Sequence, residues 1–150
     1  MSKQVCGNPT APSKKLTPTR IGCKGELMVQ KLLLEIGYHV YTPVIDEVGI
    51  DLVCQSPTRL HQFYRLQVKT IEENKSNTSL NLRCDKTDNI DIVCAYYEPI
   101  GVAFVPVQEI IANSKAKSRH SFNLALYTAE NNQQKDRHYF YQYMRFPEFQ

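Results

Sequence analysis

The chain has 150 residues, the size of one domain, with no room for a second. Its 42% hydrophobic and 22% charged residues are typical of a globular domain and exclude a fibrous or disordered chain. No apolar run approaches the roughly 20 residues of a membrane span, and no apolar signal segment is present at the N-terminus. The five cysteines lack zinc-ligand spacing, and Cys54 and Cys94 lie inside apolar runs. We therefore expect reduced thiols, largely in the core, and a cytoplasmic protein.

The net charge of +3 is unevenly distributed. Residues 1–24 contain five basic groups and no acidic group, which leaves a formal charge of −2 on residues 25–150. We expect residues 1–20 to form a flexible basic arm and residues 21–150 to form a single folded domain. A basic arm favours a polyanionic partner, because contacts with phosphates release condensed counterions. The alternative is a solvated tail without a function.

The hydrophobic spacing predicts one long helix followed by short strands. Four apolar residues share one face of a helix over residues 21–36, which Gly37 ends. The stretches 71–79 and 113–121 are polar and indicate loops. Strands are predicted over residues 38–42, 50–54, 63–69, 80–84, 90–97 and 102–107, the last two forming a hairpin, and over the aromatic stretch 138–146, with a short helix over residues 107–112. This order predicts an α/β (α+β) domain with one central mixed β-sheet flanked by helices.

Polar residues break the hydrophobic pattern at three places. Glu26 lies on or beside the buried stripe of the first helix, and Asp51 opens a short buried strand. Gln67 and Lys69 project from the same face of the next strand, while Val68 points into the core. Each feature has an ordinary explanation: a helix first-turn acid, a turn residue, and the wet face of a sheet. Together they can converge at one end of a hairpin and form a site.

These residue types suit the hydrolysis of a phosphodiester. The reaction needs a cation that neutralises developing charge and lowers the pKa of a water molecule. Mg²⁺ prefers oxygen ligands, usually one or two carboxylates together with waters. Asp51 would be the main anionic ligand, with the amide oxygen of Gln67 and the carbonyl oxygen of Val68 completing the set. Glu26 would hold a water or a second cation, and a protonated Lys69 would stabilise charge on the phosphate.

At these residues the chain resembles the PD-(D/E)XK nuclease superfamily, which has the restriction-endonuclease fold. The matching segments are Glu26 in the first helix, Gly49-Ile50-Asp51, Gln67-Val68-Lys69 and Asp91-Ile92-Val93-Cys94. More narrowly, the chain resembles the cyanobacterial group I intron-encoded homing endonucleases of this fold. The resemblance covers roughly residues 20–112. It implies a Mg²⁺-dependent endonuclease specific for a sequence in double-stranded DNA, with catalytic residues Glu26, Asp51, Gln67 and Lys69 and metal ligands Glu26, Asp51, Gln67 and Val68.

The chain departs from the family pattern at two positions. No proline precedes Asp51, and Gln67 occupies a position that is usually acidic. A neutral amide there predicts weaker Mg²⁺ binding or a greater dependence on Glu26. The chain is then a divergent active enzyme, a DNA-binding module without catalysis, or a product of an inactivating laboratory substitution. The homing branch has a glutamine variant of the motif, which favours the active enzyme; a restriction or Holliday-junction-type nuclease is the alternative within the fold.

The resemblance also implies how DNA is bound. A chain of 17.3 kDa is too small to span a long target, so we expect a homo-oligomer, a homotetramer in the family comparison. The aromatic tail, residues 139–149, is either its interface or a core strand of the monomer. We expect no membrane partner and no small-molecule cofactor, and a metal-dependent phosphatase is a distant alternative. The predicted phosphate contacts are Lys14, Lys15, Arg20, Lys24, Lys115, Lys117 and Arg119, and the predicted base contacts are Asn74, Lys75, Ser76, Asn77 and Thr78.

Overall fold

The computed structural model describes residues 15–74, 78–115, 119–127 and 137–148. No helix among them combines the length and the apolar composition that a membrane span requires. The elements follow in the order α1 (Pro18–Glu35), β1 (His39–Tyr41), β2 (Leu52–Gln55), β3 (Phe63–Ile71), β4 (Ser79–Cys84), β5 (Ile92–Tyr97), β6 (Gly101–Pro106), α2 (Val107–Asn113), β7 (His120–Ala125), β8 (His138–Tyr139) and a 3-10 helix (Phe140–Tyr143).

Helix α1 begins three residues before its predicted start. The side chain of Thr17 accepts a hydrogen bond from the backbone N–H of Arg20, at 3.4 Å, and so caps the first turn. Pro18 occupies the first helical position, where its missing N–H costs nothing. The composition of residues 1–20 had predicted that this proline belongs to the flexible arm, so the arm is shorter than expected at this end. At the other end Gly37 has a φ of +93°, and it ends the helix as predicted.

A five-stranded mixed sheet contains five of the predicted strands in the order β1-β2-β3-β5-β6, while the strand predicted over residues 80–84 lies elsewhere. Only β3 and β5 pair in parallel, and the other neighbours are antiparallel. Helix α1 covers one face, where Val29 and Leu33 pack with Leu52, Leu66 and Phe104 of the sheet. The predicted β5–β6 hairpin, the short helix α2 and the burial of Cys54 and Cys94 are confirmed.

A second sheet corrects the prediction of a single one. It has three strands in the order β4-β7-β8 and packs on the face of the main sheet opposite α1. No strand was predicted at β7, since the polar composition of residues 113–121 indicated a loop, yet Phe122 and Leu124 alternate with Ser121 and Asn123 in the pattern of a half-buried strand. The two apolar side chains are buried with β5, β6 and α2, while the polar ones are exposed.

The aromatic tail is mostly not a strand. Only His138 and Tyr139 pair with β7, in parallel, and a 3-10 helix follows. Phe140 is fully buried in the core beneath the second sheet. Phe146 lies on the opposite side of the main sheet, with ring centroids 4.5 to 5.3 Å from three aromatic residues, Tyr38, Tyr64 and Phe104. These two rings therefore belong to the core of the monomer, as in the second of the two interpretations.

Helix α1 approaches β3 so closely that one glycine is required between them. A Cβ placed on Gly25 would lie 2.9 Å from the Cβ of Thr70 and overlap its hydroxyl. We expect Gly25→Ala to lower the free energy of unfolding by about 1–2 kcal/mol, because the helix must move off the strand. Gly22 has no atom near its Cβ position, so Gly22→Ala should stabilise the protein by about 0.5–1 kcal/mol. Urea denaturation of both variants tests this; equal effects would contradict the packing.

Candidate active site

Asp51 is fixed at the start of β2 by two hydrogen bonds to β3. Its backbone N–H donates to the carbonyl of Leu66 at 2.9 Å, continuing the antiparallel pairing of Leu52 with Leu66. Its carboxylate oxygen Oδ2 accepts from the backbone N–H of Val68 at 2.6 Å. The carboxylate is thus held beside the backbone of Val68, between the two neighbours of that residue, Gln67 and Lys69.

The Gln67 amide has one partner and one unsatisfied atom. Its Nε2 donates to the carbonyl of Gly49 at 3.3 Å, and its Oε1 is buried without a hydrogen-bond partner in the described part of the chain. An unpaired buried acceptor costs about 1–3 kcal/mol, so native proteins rarely keep one without a use. The bond to Gly49 orients the amide, and the free oxygen is the kind of ligand that a hard cation takes.

The loop that precedes Asp51 is held from its other side by the β4–β5 loop. Lys86 Nζ donates to the carbonyl of Glu47 at 3.2 Å, and Asn89 Nδ2 donates to the carbonyl of Val48 at 3.5 Å. Together with the Gly49 contact, three successive carbonyls of this loop are hydrogen-bonded. Lys86 and Asn89 were not predicted as site residues, because nothing in the sequence of a polar loop about 40 residues away indicates which carbonyls it contacts.

Two carboxylates at this end of the sheet, Asp51 and Glu26, are affected by burial and by the charge of a third, Asp46. Burial raises the pKa of Asp51, and the nearby charge of Asp46 raises it further, against the hydrogen bond from Val68 and the charge of Lys69. Burial also raises the pKa of Glu26, with added repulsion from Asp51 and Asp46. Glu26 and Lys69 are therefore each close enough to Asp51 to interact with its charge. Asp46 was not among the predicted site residues, and its place in a run of turn residues gave no reason to include it.

The donors present fit a divalent cation that keeps several waters. Among the described residues no three His, Cys, Asp or Glu side chains come together as a metal cluster. The available donors are the carboxylates of Asp51 and Glu26, the free amide oxygen of Gln67 and the carbonyl of Val68. One or two carboxylates with neutral oxygens and waters suit Mg²⁺ better than a metal that demands a closed protein cage. Carboxylates with raised pKa values also gain when a cation neutralises them.

An ion pair beside the site fixes β3 against the start of β5. The guanidinium of Arg65 donates to both carboxylate oxygens of Asp91, at 3.1 Å from Nε and 2.8 Å from Nη2. The backbone N–H of Arg65 adds a third hydrogen bond at 2.7 Å. Burial tends to raise the pKa of Asp91, but the bonds from Arg65 outweigh it, so the pKa is lowered. Asp91, which lies in one of the segments that carry the family resemblance, thus forms an ion pair with Arg65 that joins β3 to β5.

The predicted DNA contacts occupy different surroundings. Lys24 forms an ion pair with Glu98 at 2.7 Å, in a cleft of about 280 Å³ that also contains Lys15, Glu72 and Glu73. These acidic neighbours offset the positive charge that would attract a phosphate. The assignment of Lys15, Arg20 and Lys24 as phosphate contacts stays a prediction. Lys115 and Arg119 lie instead in two clefts of the second sheet. Asn74 and Thr78 flank the segment 75–77; Lys14, Lys75, Ser76, Asn77 and Lys117 lie outside the described residues.

Comparisons with known proteins identify the family. A family model described as "PD-(D/E)XK endonuclease" matches residues 17–146, so the match includes most of the aromatic tail. The structure of a bacterial homing endonuclease, I-Ssp6803I, aligns with a TM-score of 0.61 at 16% identity, over 85% of this chain and 86% of that chain. This likeness supports the mixed α+β fold.

A more distant structural match is Hjc, a Holliday junction resolvase from Archaeoglobus fulgidus. Its TM-score is 0.44 at 16% identity, over 66% of this chain and 83% of that chain. No significant match to a curated protein is found. The family match over residues 17–146 spans the segments that form the site, from Glu26 to Lys69. The chain belongs to the PD-(D/E)XK endonuclease family.

Proposed function

We propose that this chain is a Mg²⁺-dependent, sequence-specific endonuclease of the intron-homing type, which cuts double-stranded DNA. One observation carries the proposal: the Asp51 carboxylate is bonded to the backbone of Val68, next to the unsatisfied amide oxygen of Gln67. This bond holds Asp51 beside the segment of β3 that carries the Gln67 amide, so the anionic oxygen and the neutral oxygen come from neighbouring segments of the sheet. Lys69, on the same strand as Gln67, adds a cation close to Asp51.

Each residue has one role in this proposal. Asp51 and Gln67 present the oxygens that bind a divalent cation, with the carbonyl of Val68 as a further ligand. Glu26 accepts a proton from a nearby water, whose oxygen bonds to the phosphorus while the bond from phosphorus to the leaving ester oxygen breaks. The leaving oxygen takes a proton from solvent water. The raised pKa of Glu26 favours this proton transfer, because a more basic carboxylate is a better acceptor.

Lys69 stabilises charge rather than removing a proton. Its side chain interacts with the charge of Asp51, and in this proposal its ammonium neutralises the negative charge that develops on the phosphate. A bound Mg²⁺ would supply the remaining chemistry, lowering the pKa of water and neutralising the phosphate oxygens. The three bonded carbonyls of the loop before Asp51 keep this arrangement in place before the substrate arrives.

A homo-oligomer, in our proposal a homotetramer, provides the extent that a long DNA target requires. One domain of this size buries only part of such a target, and cutting both strands takes two active sites. The tail retains exposed side chains for contacts between subunits, with Tyr141 58% and Met144 40% exposed. Sedimentation equilibrium should give four times the chain mass, and a monomer at all concentrations would reject the assembly.

The experiment that tests the function uses a pool of randomised duplex DNA. The pool is incubated with the protein and Mg²⁺, and the released ends are captured and sequenced. The parent should release ends that share one long sequence. Lys69→Ala and Asp51→Ala should each reduce the number of released ends by a factor of about 10² or more, because each removes a charge from the reacting centre. Lys31→Ala is the matched control, since Lys31 is exposed on α1 and pairs with Glu35.

The alternatives predict other results. If Lys69→Ala and Asp51→Ala cut as fast as the parent, the assigned site is wrong. If the parent releases no ends but still retards DNA in a gel, the chain is a binding module without catalysis. A short shared sequence would indicate a restriction-type enzyme. Cutting of a four-way junction without sequence preference would indicate a junction-resolving enzyme.

A further inference from the structure

We propose that the outer face of the β4–β7 ribbon, Ser79–Cys84 paired with His120–Ala125, reads base edges in the major groove of duplex DNA. This inference rests on the proposed function, because it names the residues that select the target of the same enzyme. The residues differ from those predicted from the sequence, where a loop over residues 74–78 was expected to read bases.

Apart from Ala125, opposite Ser79, the strand pattern places hydrogen-bonding side chains on this face. Along β4 the buried residues Leu80, Leu82 and Cys84 alternate with exposed ones. The register aligns the exposed residues of the two strands in pairs. Asn81 lies opposite Asn123, and Arg83 lies opposite Ser121. These four side chains form no hydrogen bond or ion pair with other described residues, so their donors and acceptors are available to a ligand.

The charge of this surface is complementary to DNA. Two clefts, of about 660 and 230 Å³, open along the ribbon. The described residues that line them include no aspartate or glutamate. They include four cations, Arg83, Lys115, Arg119 and Arg137. The cleft beside Lys24 is the opposite, since three glutamates line it. Polyanion binding is therefore favoured at the ribbon.

The ribbon is connected directly to the candidate active site. Arg83 ends the exposed row of β4, and three residues later Lys86 donates to the carbonyl of Glu47, in the loop that leads to Asp51. A duplex lying on the ribbon would thus reach the site at the Arg83 end. In this inference, the base contacts along the rest of the ribbon fall on one side of the cleavage position.

The geometry and the residue types suit the major groove. The groove is about 12 Å wide and admits a two-stranded ribbon, whose strands lie about 4.8 Å apart. Asparagine forms paired hydrogen bonds with adenine, and arginine forms them with guanine. A face with two adjoining asparagines and one arginine is therefore a reader of adenine and guanine, while Lys115 and Arg119 at its rim contact phosphates.

The test is a binding selection from randomised duplex DNA in EDTA, where no cutting interferes. The parent should enrich one sequence. Asn81→Ala and Asn123→Ala should each lose the base preference at one or two positions and bind the enriched duplex about tenfold less tightly. Arg83→Lys keeps the charge but not the paired hydrogen bonds, so it should lose a guanine preference. All these side chains are exposed, and unchanged melting temperatures will confirm that the variants fold.

Two controls separate base reading from other effects. Lys115→Ala should weaken binding to every duplex equally and reduce the salt dependence, without changing the enriched sequence. Gln108→Ala removes an exposed amide on α2, beside Phe63 and Asp91, and should change nothing. An enriched sequence that is identical for the parent and the three ribbon variants would overturn the inference, as would the absence of any enriched sequence.

The outcomes also distinguish this inference from the proposed function. If the parent releases ends with Mg²⁺ but the ribbon variants keep its sequence preference, the enzyme stands and the ribbon does not read bases. If the ribbon variants change the preference but the parent releases no ends, the ribbon reads bases in a protein that does not cut.

Discussion

Asp51→Asn should make the metal-free protein more stable and should strongly reduce cleavage. The raised pKa of Asp51 means that the fold disfavours the ionised carboxylate at neutral pH. Asparagine removes that charge, and its side-chain oxygen still accepts the hydrogen bond from Val68. We expect a gain of about 1 kcal/mol, or about 3 °C in melting temperature, measured without divalent ions. Cleavage should fall by about 10² or more.

Added Mg²⁺ should reverse the order of stability. A ligand that binds only the folded state stabilises it by about 2.7 kcal/mol at one hundred times its dissociation constant. The parent should therefore melt at higher temperature with Mg²⁺, and Asp51→Asn should respond little. An equal Mg²⁺ response in both proteins would mean that Asp51 is not a ligand, whatever happens to cleavage.

The raised pKa of Asp51 also predicts how the stability of the metal-free protein changes with pH. The folded pKa of Asp51 lies above its ordinary value of 3.8, so the penalty is present above the folded pKa and disappears as pH falls through it. Asp91 is the matched contrast, because its pKa is lowered and its contribution is lost only as pH falls through that lower value. Asp91→Asn should cost about 1 kcal/mol at pH 7, a small amount because the pair with Arg65 is partly exposed.

Gln67→Glu should lower cleavage about tenfold or more, although it creates the acidic residue that is usual at this position. The amide nitrogen of Gln67 donates to the carbonyl of Gly49, and a carboxylate has no hydrogen to donate there. A carboxylate oxygen of the new glutamate and the carbonyl oxygen of Gly49, both acceptors, would then face each other at about the 3.3 Å of the present hydrogen bond. The loop before Asp51 would lose one of the three hydrogen bonds to its carbonyls. Asp51 could then be displaced, and a small displacement of a catalytic group lowers the rate of cleavage strongly.

This variant decides how the glutamine arose. Cleavage is measured at increasing Mg²⁺, so that a change in metal affinity is separated from a change in maximal rate. Gln67→Ala is the comparison that removes both the donor and the oxygen ligand, and it should be the least active. A Gln67→Glu protein more active than the parent would show that the glutamine is an inactivating replacement of a natural acid.

The sequence by itself determined the elements that have strong periodic patterns. The spacing of apolar residues indicated α1, and strict alternation indicated β3, with Gln67 and Lys69 on one face. The predicted strand positions placed Asp51 beside that face, and the structure has these residues on adjoining antiparallel strands. Local pattern was enough here because side-chain direction follows from the period of the element alone.

Tertiary structure decided the rest. Residues 120–125 form strand β7, where pairing with β4 buries Phe122 and Leu124; the polar residues 113–121 before them had indicated a loop. The tail turned into a 3-10 helix because Phe140 and Phe146 pack on opposite faces of the sheet. Lys86 and Asn89 contact the loop before Asp51 only through the tertiary structure. Contacts between distant segments depend on how sheets and helices pack, and this information is not carried by the period of any one segment.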